Sequence, residues 1–214
     1  MLTLAPRSVA VLGAHCDDVA IGAGATLLAL CAATPGLRVD ALVLTGAGTA
    51  REDEERAALQ AFCPGAELAV TVLDLRDGHV PVHWERAKDA VRAFRGTCEP
   101  DVVLAPAPHD AHQDHRALAA LVPTEFRGHP TLGYEILKRE SDLAQPGVFV
   151  GVDATAAAKV ELLHTHYPSQ HSRSWFDAET FLGLMRVRGV QCGRRYAEAF
   201  HSTTLVLETG ETAR

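Results

Sequence analysis

The chain has 214 residues, enough for one domain with a core that needs no disulfides, and 47 % hydrophobic against 22 % charged residues is the balance of a globular protein. A formal net charge of −7 counts against generic nucleic-acid binding and against docking on an anionic membrane surface. The 5 cysteines are odd in number and form no CxxC pair, so neither a disulfide framework nor a cysteine-rich zinc knuckle is expected, and a reducing, cytoplasmic setting is. No run approaches the ~18 apolar residues of a membrane span. The opening MLTLAPRSVAVLG reads as a lead-in to a strand, not as a signal peptide.

Residues 8–14 (SVAVLGA) form a short apolar, β-branched run and predict the first strand. An Ala/Leu-rich stretch over 25–33 follows, closed by Pro35-Gly36. Residues 39–44 (VDALVL) predict a second buried strand, and 51–62 a charged, alanine-rich helix ending at Pro64-Gly65. A third strand is expected over 68–75, a helix over 83–94, and a fourth strand over 101–105, ended by Pro106. This alternation is the mark of βαβ units: a Rossmann-like α/β fold with a mostly parallel sheet and helices on both faces. The second half is less regular. Strands are predicted at 131–137 and 148–152, helices at 154–166 and 179–187, and a final strand at 202–207 (STTLVL). No repeat or linker interrupts the chain, so one domain over residues 1–214 is expected.

Two clusters carry the chemistry. Ala14-His15-Cys16-Asp17-Asp18 follows the first strand, and Pro108-His109-Asp110-Ala111-His112-Gln113-Asp114-His115 follows the fourth. In a doubly wound sheet those strands are neighbours, because the winding reverses between them, and ligands bind at the carboxyl ends there. Imidazoles and carboxylates meeting in that crevice are ordinary zinc ligands, and a catalytic zinc keeps three protein ligands and one open position. His15 and Asp18 could supply two ligands and one histidine of the second cluster the third. Asp17 would then be free to take a proton from a water whose pKa the metal lowers. A second histidine could stabilise an oxyanion or protonate a leaving amine, with Asp114 orienting it. The bland reading of Asp17-Asp18 is a helix cap; it explains one aspartate and neither histidine cluster.

His15-Cys16-Asp17-Asp18 resembles the AHPDD signature of the PIG-L/LmbE-like family of zinc-dependent N-deacetylases, and His112-Gln113-Asp114-His115 resembles its HxDH signature. Arg51 to Glu54 is similar to the RxxE segment, Asp77-Gly78 to a DG turn, Lys159 with Ser169-Gln170 to the K…SQ segment, and Tyr196-Ala197-Glu198-Ala199-Phe200 to the closing YAEAF. The resemblance implies that His15, Asp18 and His115 hold one divalent metal, zinc above all, with Fe2+ or Co2+ also fitting the donors. It implies Asp17 as general base, His112 as a protonated imidazole facing the substrate carbonyl, Asp114 as its partner, and Arg51 as a substrate contact. The implied reaction removes an acetyl or other acyl group from the nitrogen of a small amino-sugar substrate. The rivals are an amidase for another N-acylated natural-product intermediate or thiol conjugate, and a non-catalytic metabolite-binding domain. A pure binding domain has no need of the spare carboxylate of Asp17. The sequence is also compatible with a homo-oligomer.

Cys16 stands where the family has proline and is expected to be a bystander. Ser169-Gln170 lies one residue further from Lys159 than the family pattern, so Tyr167 receives no role. Gly22-Ala-Gly24 and Gly46-Ala-Gly48 lack the GxGxxG context and are read as tight turns. Most of the 11 histidines are expected at the surface, His79 being a candidate to line the pocket. Trp175-Phe176 is either a substrate-facing wall or packing, and Arg186 and Arg188 favour a helix end. Glu52, Asp53, Glu54 and Glu55 are read as a solvated helix face.

Overall fold

The structure is a computed structural model, described here over residues 5–138, 141–202 and 204–205. The near-continuous apolar runs form the strands they predict: β1 (Ser8–Gly13), β2 (Arg38–Thr45), β3 (Glu67–Leu75) and β4 (Val102–Pro106). Between them lie α1 (Asp18–Ala33), α2 (Ala50–Phe62) and α3 (Trp84–Arg95). The second half supplies α4 (Gln113–Glu125), β5 (Thr131–Tyr134), β6 (Val148–Gly151), α5 (Ala156–His166), α6 (Ala178–Cys192) and β7 (Ala197–His201).

The seven strands form one sheet in the order β3-β2-β1-β4-β5-β7-β6. The first five are parallel, and β7 runs antiparallel to both β5 and β6. Alternation along β1 divides the core. Val9 and Val11 pack with α1, α2 and α5 on one face, whereas Ala10 and Leu12 pack with α3 and α4 on the other. This is the expected mostly parallel α/β sheet with helices on both faces.

Chain order reverses at β1, which pairs with β2 on one side and β4 on the other, Val9 opposite Val102 and Val11 opposite Leu104. The carboxyl ends of β1 and β4 therefore lie side by side, and with them the two polar clusters.

Several expectations change. Residues 113–125, where the sequence predicts no element, are helix α4, so Asp114 and His115 stand in a first helical turn. The final strand is Ala197–His201; residues 202, 204 and 205 are not strand, and 203, 206 and 207 lie outside the described residues. Gly22 and Gly24 are inside α1, not in turns. A Cβ on Gly22 would sit 2.2 Å from the Tyr134 ring and one on Gly24 2.7 Å from the Phe62 ring, so close packing requires both. Gly46 and Gly48, at φ 106° and 74°, do turn the chain. Arg188 is buried and paired with Glu135 rather than spread over a helix end.

Candidate active site

Asp18 opens α1 and folds its carboxylate back, Oδ2 accepting from the backbone N–H of Ala14 (3.0 Å) and His15 (2.9 Å). It therefore holds the turn out of β1, and Asp17 makes no side-chain cap bond. Cys16 is packed away, its Sγ 3.4 Å from the Thr45 carbonyl. Burial, with help from Glu55, pushes its thiol well above the usual range, so it is no nucleophile.

From the other side, α4 brings His115 inward. His115 Nε2 lies 3.1 Å from His15 Nδ1 and 3.2 Å from Asp18 Oδ2, and His15 Nδ1 lies 3.4 Å from Asp18 Oδ2. Each imidazole is fixed from behind. His115 Nδ1 meets Asp110 Oδ2 at 2.7 Å, and His15 Nε2 meets Asp114 Oδ2 and Asp77 Oδ1, each at 3.1 Å. In the neutral imidazoles these bonds place the ring protons on the outer nitrogens and turn the inner nitrogens toward one another and a carboxylate, where a metal would take the place of a proton.

That donor set fits a divalent metal. Zinc–nitrogen bonds of about 2.0–2.1 Å in tetrahedral array place ligand atoms about 3.3 Å apart. The three edges of the His15–Asp18–His115 triangle bracket that separation. Asp18 Oδ1 is buried without a hydrogen-bond partner, a cost that a cation beside the carboxylate would offset. The electrostatics agree. Burial works to lower the His15 pKa, but Asp18, Asp114 and Asp77 overcome it and push it up to about 12. His115, likewise buried, is pushed up to about 9 by Asp18 and Asp110. The site is built to hold positive charge.

The expected His112–Asp114 ion pair is not made. The Asp114 carboxylate serves His15 and accepts from the N–H of Gly78 (2.7 Å) and Val80 (3.0 Å), which ties the Asp77-Gly78 turn to α4. What joins Asp114 to His112 is a backbone bond, Asp114 N–H donating to His112 Nδ1 at 3.2 Å. His112 Nδ1 is thus unprotonated and Nε2 carries the hydrogen. Burial, His15 and His115 hold its pKa below the ordinary value, which agrees with the neutral ring that the accepted N–H requires. It lies edge-on to His15 and stacks on His115, both at 4.7 Å between centroids.

Asp17 borders the triangle at φ 115°, the single non-glycine residue of positive φ among the described residues. Its Oδ2 is 2.7 Å from Arg51 Nη2. That guanidinium also bonds the Cys16 carbonyl, Glu54 Oε2 (2.7 Å) and Ser169 Oγ (2.8 Å), so Arg51 orders Asp17 and the K…SQ segment together. Burial raises the Asp17 pKa, while Lys138 and Arg51 oppose the rise.

Three groups escaped the sequence reading. Glu55, expected in solvent, is fully buried and accepts the Asp17 N–H at 2.8 Å and the Tyr167 hydroxyl at 2.6 Å. Lys138 lies just beyond β5, its ammonium 5.5 Å from the Trp175 ring centroid, and against the effect of burial the charges of Asp18, Asp17, Asp110 and Asp77 raise its pKa. Asp110 stood in the motif run without a role and is the partner of His115. Spacing gave a signal only for Asp110. His79 is in the turn at the rim, Nδ1 2.9 Å from the Asp77 carbonyl. Phe176 is core, whereas Trp175 is half-buried against it.

Residues 10–125, just over half of the 214, match the PIG-L family, described as GlcNAc-PI de-N-acetylase. Among solved structures, the N,N'-diacetylchitobiose deacetylase of Pyrococcus horikoshii is 22 % identical, covering 92 % of this chain and 84 % of its own, with TM-score 0.72. A conserved protein of Thermus thermophilus is 24 % identical over 96 % and 99 %, with TM-score 0.73. The 4-carboxy-2-hydroxymuconate hydratase of Pseudomonas putida is 17 % identical over 96 % and 99 %, with TM-score 0.68. At these identities the likeness is one of fold, and the hydratase shows that the fold serves more than one chemistry.

Proposed function

The chain belongs to the PIG-L family, and on that premise we propose that it is a metal-dependent N-deacetylase, a hydrolase that removes an acetyl group from the nitrogen of an amino sugar or an amino-sugar-containing metabolite. The observation that carries this reading is the convergence of His15 Nδ1, Asp18 Oδ2 and His115 Nε2 with Asp17 beside them. The metal, zinc by preference, would be held by those three residues; when bound it supplies a Lewis acid and lowers the pKa of a water.

The chain's own groups account for the rest. Asp17 takes a proton from the water that attacks the amide carbonyl, and Arg51 holds that carboxylate in place. His112 offers Nε2–H to the oxyanion that forms as the new C–O bond closes, a role that suits a neutral imidazole with lowered pKa. Asp17 then returns the proton to nitrogen as the C–N bond breaks, and the products are an amine and a carboxylate. Asp110 and Asp114 orient His115 and His15. The substrate class rests on the family, since fold and donor set leave it open.

The reading takes residues 1–214 as one catalytic domain, because β5, β6 and β7 complete the sheet begun inside the matched segment. The five free cysteines suit a reducing, cytoplasmic setting. Among the described residues no helix is long and apolar enough to cross a membrane.

The test is amine release from a panel of N-acetylated amino sugars, with N-acetyl amino acids and thiol conjugates as rivals, on wild type and Asp17→Asn. Amino sugars should be the substrates, and Asp17→Asn should keep its metal while losing about 10²–10⁴ in rate. A metal-replete Asp17→Asn protein with full turnover would remove Asp17 from the chemistry.

A further inference from the structure

We infer that Glu55, backed by Tyr167, is a positioning residue that holds Asp17 in its left-handed backbone conformation; the inference rests on the role of Asp17 proposed above. Positive φ is unfavourable for a residue with a Cβ and persists only where its surroundings over-determine it. Asp17 is gripped at three points. Its carbonyl accepts from Ile21 N–H at 2.9 Å as α1 begins. Its carboxylate meets Arg51 at 2.7 Å, and its N–H donates to Glu55 Oε2 at 2.8 Å. Arg51 and Glu55 are four apart on α2, so one helix face holds both ends of the same aspartate.

Glu55 has no other evident purpose. It is 0 % exposed, and its Oε1 has no hydrogen-bond partner. Such a carboxyl is costly to bury, and an apolar side chain would fill the space at less expense to the fold. What it makes instead are two bonds to one oxygen. Asp17 N–H arrives from one side, and Tyr167 Oη–H, itself fully buried at the end of α5, arrives at 2.6 Å from the other. Tyr167 thereby fixes the acceptor that fixes Asp17. A rule broken in the core beside a proposed base is where a positioning role is expected. Burial pushes Glu55 up to about 8, so near neutral pH it is largely protonated, and glutamine is its close replacement.

The experiment compares Glu55→Ala, Glu55→Gln and Tyr167→Phe with wild type by steady-state kinetics, bound metal and amide exchange of Asp17 in 15N-labelled protein. Glu55→Ala should lower kcat by about 10²-fold, as for a catalytic group displaced by about 1 Å, with KM and metal content little changed. Asp17 amide exchange should rise roughly 10- to 100-fold, as for a lost buried hydrogen bond. Glu55→Gln, which keeps the acceptor, should restore most of both, and Tyr167→Phe should fall between. Full kcat and an unchanged Asp17 amide in Glu55→Ala would overturn the inference, as would a Glu55→Gln protein no better than Glu55→Ala. If Glu55→Ala fails to fold, Tyr167→Phe decides: wild-type kcat and exchange there would count against it. If the wild type releases no amine from any substrate, the proposed function fails, and the exchange arm still decides whether Glu55 holds Asp17.

Discussion

At the scale of single residues, the structure moves Asp114 from one histidine to another. Its carboxylate stands behind His15, not His112. Asp114→Asn should therefore weaken metal binding, by about 10- to 100-fold as for other orienting carboxylates, rather than alter the titration of His112. Competition with a metal indicator measures this, and unchanged affinity would leave Asp114 only the role of tying the Asp77-Gly78 turn to α4. Glu55 gives a stability test of defined sign. Burial pushes its carboxyl from the ordinary 4.5 up to about 8. Between those values the folded state keeps a proton that the unfolded chain has released. Its contribution to stability is thus full below 4.5 and is lost as pH rises toward 8. Glu55→Gln cannot titrate, so its melting temperature relative to wild type should climb across that interval and level off above it. A difference that ignores pH would show that Glu55 does not titrate there. His15, Asp17, Asp18, His112, Asp114 and His115 were legible because their chemistry is concentrated in two short runs. Glu55 and Lys138 were not, since what distinguishes them is a contact with a distant element. In a run of four acidic residues, only the turn of α2 decides which one is buried.

At the scale of elements, α1 is not a simple helix. Lys159 Nζ takes the Ile21 carbonyl, and Glu198 accepts the N–H groups of Ala25 (3.0 Å) and Thr26 (2.7 Å) in mid-helix. The two side chains meet at 2.6 Å. A buried ion pair thus substitutes for part of the helix's own ladder, between the site-bearing first turn and the rest of α1. Glu198→Ala leaves a buried ammonium and the N–H groups of Ala25 and Thr26 without their partner and should cost about 3–5 kcal/mol, while adding Lys159→Met should recover the part due to the unpaired charge and leave the part due to the backbone groups. Denaturant unfolding reads both; equal losses would mean the pair is not coupled. The strands β1 to β4 were readable because strands buried on both faces are nearly continuous apolar runs. Helix α4 was not anticipated, since its first turn is the polar motif itself. Strand β7 was misplaced because its AEAFH sequence carries a buried glutamate, and pairing with β5 and β6, not local pattern, makes it a strand.

At the scale of the whole molecule, the topology creates the site. Reversal of the winding at β1 brings together His15 and His115, 100 residues apart, without any long loop having to fold over. Both contribute from the rigid junctions of strand and helix, which holds three donor atoms at near-ligand separations. The cavity between α1, α6 and β7, lined by Phe181, Met185 and Arg188 among others, lies apart from this crevice, and its charged groups are paired with one another. On the proposed function, turnover in this crevice requires one metal per chain acting with Asp17. The direct measurement is amine release from an N-acetylated amino sugar by metal-free protein titrated with zinc. Activity should be absent without metal and rise to a maximum at one equivalent per chain. Amine release at full rate by the metal-free protein, or none at any metal loading, would contradict it.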